Sequence, residues 1–109
     1  MELRLEGRFS YISKYNKLII VPDHVEETLA KLDNQCTGTL PYHTRDITVS
    51  MGKTRITPDI RAMVGLDCIV HVKLRKYKFK STRDANRGES VEGTQLILTN
   101  IRRKYAPTQ

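Results

Sequence analysis

At 109 residues, with 39% hydrophobic and 28% charged side chains, the chain has the size of one folded domain and too many apolar residues for a disordered segment. Its formal net charge of +7 is one-sided: residues 1–50 hold six Lys/Arg against seven Asp/Glu, while residues 51–109 hold thirteen against five. The excess therefore lies in the second half, where it favours a polyanionic partner, nucleic acid before an anionic membrane surface. The N-terminus interleaves Glu2, Arg4 and Glu6 with its apolar residues, unlike a signal peptide. The longest apolar run, Leu18–Pro22, is far short of the ~20 residues of a membrane helix. Two cysteines are too few for a secreted disulfide scaffold, so Cys36 and Cys68 are expected as free thiols of an intracellular protein, cytoplasmic or nuclear.

In chain order, residues 3–11 alternate as a half-buried strand, with Leu3, Leu5, Phe9 and Tyr11 on the core side and Gly7 marking a bulge or bend. Tyr15-Asn16-Lys17 turns into a second, mostly apolar strand, Lys17–Pro22. A helix follows over 23–35: Asp23 as N-cap and Glu26 three residues on resemble a capping box, and Val25, Leu29 and Leu32 form the buried stripe. Residues 36–44 read as a loop. Ile47, Val49 and Met51 alternate in a third strand, 45–51, and Pro58–Met63 form a short helix with Gly65 beyond its end. Residues 68–79 give the longest strand, with Cys68, Val70, Val72 and Leu74 on one face and His71, Lys73, Arg75, Tyr77 and Phe79 on the other. A polar loop, 80–92, leads to a last strand, 93–104, that is apolar on both faces. Residues 106–109 form a short tail behind a single domain of 1–105. Five strands with one definite helix fit a small barrel better than a sandwich.

Signatures of catalysis are missing: there is no phosphate-binding Gly-rich loop, no Gly-x-Ser-x-Gly and no His-Glu-x-x-His. The expectation is a non-enzymatic chain without cofactor. Cys68 and His71 are three apart on a strand, so they point to opposite faces and cannot share a metal ion. Binding residues are easier to nominate. Lys73, Arg75, Lys76, Lys78, Lys80, Arg83 and Arg87 face one acid, Asp84, over the same stretch. Tyr77 and Phe79 interrupt them, either as flat faces on which unpaired bases stack or as core residues at the far end of the barrel. Tyr11, Lys14, Tyr15 and Lys17 make a second cluster of aromatics and cations around the first turn. Cations with interleaved aromatics are what single-stranded nucleic acid requires.

The run Val70-x-Val72-x-Leu74-x-x-Tyr77-x-Phe79, a polar loop, then Gly93-x-x-Leu96-x-Leu98-x-x-Ile101 resembles the last two strands of OB-fold single-stranded DNA-binding proteins, especially compact phage and viral ones. The resemblance covers about a third of the chain. It implies an all-β, five-stranded OB-like barrel closed by the 58–63 helix, with the 23–35 helix inserted between strands two and three. It also implies a ligand across strands two and three, between the first and last hairpin loops, so contacts are expected at Tyr11–Lys17 and Lys76–Arg87. A single-stranded nucleic acid, DNA before RNA, is the implied partner, and a virus-encoded origin is compatible with it. The resemblance departs at the last residues, Arg102-Arg103-Lys104-Tyr105-Ala106-Pro107-Thr108-Gln109, where the acidic tail by which many such proteins recruit partners is expected and no acid stands. The alternative is an interaction subunit that uses the barrel as a scaffold for a protein partner or a second copy.

Overall fold

The structure is a computed structural model that describes residues 2–36, 40–43, 45–80 and 90–105, and, within these, not the side chains of His43, Phe79, Lys80, Ser90 and Val91. In chain order it contains β1 (Glu2–Ile12), β2 (Leu18–Pro22), α1 (Val25–Gln35), β3 (Tyr42–His43), β4 (Asp46–Ser50), α2 (Pro58–Ala62), β5 (Asp67–Lys80) and β6 (Ser90–Arg103). β1 lies antiparallel between β2 and β5, β2 pairs antiparallel with β4, and β5 pairs antiparallel with β6. A parallel join of β4 to β6 closes the ring. The result is an OB-like barrel with α1 inserted between its second and third strands, the architecture expected from the sequence. β3 adds a two-residue edge to β4 inside a segment expected to be a loop.

The core is the inward face of every barrel strand: Leu5 and Phe9, Leu18 and Ile20, Ile47 and Val49, Cys68, Val70 and Val72, Leu96 and Leu98. Gly7 sits where β1 is squeezed between β2 and β5, and a Cβ there would collide with the backbone carbonyl oxygen of Val21. Two bulges alter the alternation read from the sequence. Between Phe9 and Tyr11 the register with β2 slips, so Ile12 packs on the core and Tyr11 turns outward at 49% exposure. Tyr11 is therefore not a partner of Leu5 and Phe9, because one extra residue reverses the faces beyond it. In β6, His71 faces Asn100 and Val72 faces Leu98, which leaves Thr99 as the extra residue and returns Ile101 to the core. The Thr99 hydroxyl donates to the His71 carbonyl at 3.0 Å across the bulge.

The helices correct one expectation and support another. α1 packs Leu32 and Leu29 on the barrel, but its N-cap is His24, without a side-chain cap bond. The Asp23 carboxylate instead accepts from Lys104 Nζ at 2.8 Å, with Glu6 at 3.9 Å from the same ammonium, tying the end of β6 to β1 and to the entry of α1. α2 starts as read: Pro58 occupies the first turn and Thr57 Oγ1 accepts from the Ile60 N–H at 3.2 Å. Ile60 and Met63 then cover the core, and the Gly65 and Leu66 backbones bond to Phe9 at 2.6 and 2.9 Å. No helix among the described residues is long and apolar enough to cross a membrane.

Candidate nucleic-acid interface

The first turn is built around Ser13. Its N–H donates to the Lys17 carbonyl at 2.8 Å, and its hydroxyl oxygen accepts from the N–H groups of Tyr15 and Lys17 at 3.3 and 3.2 Å. Asn16 takes the left-handed conformation, φ 59°, which a short polar side chain tolerates well. The turn thereby presents Tyr15 at 72% exposure, with Lys14 Nζ 5.1 Å from its ring centroid, and delivers Lys17 half-buried to the start of β2.

From this turn the outward face of the sheet runs across β1, β2 and β4. Tyr11 lies in register with Ile19, and Ile19 with Thr48. Beyond them a groove of ≈ 280 Å³ lies among Lys17, Tyr42, Thr48, Ser50, Tyr77 and Gln95. A second groove of ≈ 530 Å³ includes Tyr15, Lys17, Ser50, Arg55, Arg61 and Gln95 in its walls. Lys17, Ser50 and Gln95 line both, so the two grooves adjoin, and together they make a channel-like surface from the first turn across β2, β4 and β6. Among the described residues, three tyrosines and three cations line it and no carboxylate does.

Tyr77 reaches the channel from an arm. β5 pairs with β1 only as far as Lys73, and β6 meets β4 at Leu96 and Ile97, so residues 74–80 and 90–95 continue as a two-stranded ribbon. Tyr77 is paired with Gly93, and its ring occupies the space a Cβ of residue 93 would need. An aromatic laid over a cross-strand glycine restores the packing the glycine lacks. Lys76 and Lys78 fall on the alternate side of the ribbon. Lys78 forms an exposed ion pair with Glu92 at 3.3 Å. Lys76 is near Cys36, whose thiol burial pushes up, Asp33 pushes further, and Lys76 pulls back down.

The structure thus brings Tyr15, Lys17 and Tyr77 into one channel, sets Tyr11 in the outward row beside it, and leaves Lys14 on the turn. Lys73 and Arg75 lie across β6 in a separate groove. Lys76 and Lys78 alternate with Tyr77 along the arm and line a further groove with it, Gly93 and Glu92. The side chains of Phe79 and Lys80, and all of Arg83 and Arg87, lie outside what is described. Sequence reasoning missed Tyr42, Arg55, Arg61 and Gln95. The signal for two of them was present: Lys53-Thr54-Arg55 follows Gly52, and Arg61 stands one turn into a helix whose start was legible. Among the described residues no cluster of three or more His, Cys, Asp or Glu is placed to hold a metal ion. Cys36 and Cys68 are free, buried thiols. No protein-family model, curated protein or solved structure matches the chain.

Proposed function

We propose that the channel binds single-stranded nucleic acid without catalysis, DNA in preference to RNA, with little dependence on base sequence. The observation that carries this reading is the lining itself. Lys17, Arg55 and Arg61 supply phosphate partners, Tyr15 and Tyr77 supply ring faces, and among the described residues no carboxylate lines the channel. Tyr11, in register with Ile19 and Thr48, adds a further ring at the margin. The preference for DNA rests on the resemblance of the last two strands to single-stranded DNA-binding OB folds. Phosphate contacts and stacking carry little sequence information, so base composition has a small effect.

Fluorescence anisotropy of labelled single- and double-stranded DNA and RNA across a salt series tests the proposal. Three phosphate contacts on a short single strand give a log–log salt slope of roughly −2, at ~0.7 per contact. Affinity that does not change with salt removes the electrostatic basis of the reading. A tight complex with a protein partner, and none with any oligonucleotide, supports the interaction subunit instead.

A further inference from the structure

We propose that the groove on the far side of β6 is a second seat for the same strand, one that holds sugar–phosphate backbone and does not engage bases. The inference rests on the channel binding a single strand. The groove has a volume of ≈ 750 Å³ and is lined by Lys53, Lys73 and Arg75, with Thr54, Thr99 and a floor that includes Ile97. Lys53, Lys73 and Arg75 are all exposed at its rim. Among the described residues it is lined by no carboxylate and no aromatic. The acid nearest by register is Glu2, opposite Lys73 on β1, and it does not line the groove.

What separates this groove from the channel is the loop after β4. Met51, Gly52 and Thr54 border both spaces. Gly52 has φ +61°, and a Cβ there would come within 2.9 Å of Ile97 Cγ2, so the loop backbone lies directly on β6. The divide is therefore the main chain of this loop. Two cations of that one loop fall on opposite sides of it, Lys53 toward the second groove and Arg55 toward the channel. A phosphodiester chain crossing the divide meets a positive charge before and after it. The channel has tyrosines on which bases stack, whereas the second groove offers three cations and hydroxyls. Charge is all it can read.

Abasic extensions separate backbone from base. The core probe is an oligothymidylate of about 8 nucleotides, and the extended probes add about 6 abasic units at either the 5′ or the 3′ end, within the site sizes of single OB folds. The expected result is that one of the two extended probes binds more tightly than the core, and as tightly as a thymidylate of equal length. Three added contacts steepen its salt slope by about 2, so its advantage shrinks roughly 20-fold between 50 and 200 mM salt. The triple variant K53A/K73A/R75A abolishes that gain while costing the core probe much less, since none of the three side chains lines the channel. Thermal melts confirm that the variant is folded. Three results overturn the inference: no gain from either extension, a gain that requires bases, or an equal loss on core and extended probes in the variant. Failure of every oligonucleotide to bind the parent overturns the function reading along with it.

Discussion

Substituting Gly93 by alanine moves a ring without removing it. The added Cβ overlaps Tyr77 at Cζ and Oη and would stand 2.8 Å from Cε1, all at the outer end of a flexible side chain. The ring yields and the backbone does not, because residue 93 has ordinary strand geometry and no positive φ. The stability change is small, about 1 kcal/mol or less, the scale of one cross-strand pair. Binding is affected more. If Tyr77 stacks on a base in the channel, losing that position costs about 1–3 kcal/mol, or ~5- to ~150-fold in affinity, with the salt slope unchanged. Tyr77→Ala removes the same contact by deletion, so the double variant should bind no more weakly than Tyr77→Ala alone. Anisotropy titrations of the parent, both single variants and the double variant close the cycle. Additive losses, or a Gly93→Ala protein that binds like the parent, would show that the ring's seat over Gly93 has no part in binding.

Gly7→Ala tests the pinch in β1. Its Cβ meets main chain at Val21 and Pro22, which cannot rotate away, so a loss of about 3 kcal/mol is expected, at the upper end of overpacking costs, and a melting temperature within a degree or two of the parent would contradict it. The alkaline limb of stability is a separate test. Burial, then a neighbouring acid, raises the thiols of Cys36 and Cys68 in the folded state, so their contribution is full below the unfolded thiol range of about 8.5 and is lost as pH rises through the higher folded values. Melting temperature should therefore fall above that range, and Cys36→Ala with Cys68→Ala should flatten the fall. An unchanged pH profile in the double variant counts against it.

Much of the barrel was legible because burial imposes a two-residue period. Cys68, Val70 and Val72 pointed inward as their alternation demanded, and Pro58 in a first turn with Gly65 beyond the end marked a short helix. The bulges at Ser10 and Thr99 were not legible. An extra residue is defined only against a partner strand, and Tyr11 and Ile101 look like members of the unbroken pattern until Ile19 and Val70 are set opposite them. β3 escaped for a related reason, since two residues carry no period. The site was half visible. Local clusters of charge and ring, such as Tyr15 with Lys17, stand out in a linear reading. Arg55, Arg61, Tyr42 and Gln95 come from four separate segments and converge only when the sheet rolls up.

The ring is fastened where it is thinnest. Every other junction of the barrel is antiparallel and the β5–β6 ladder is long, but β4 and β6 meet in parallel over two residue pairs, Val49 with Leu96 and Ser50 with Ile97. Such a join is the natural place for the cylinder to breathe, and amide exchange there should be governed by local opening more than by global unfolding. Ser50 and Gln95 put the channel directly over this join. An occupant touching both sides acts as a clasp, because each opening must first displace it. By linkage, whatever loosens the join weakens binding by the same free energy that binding uses to hold it shut.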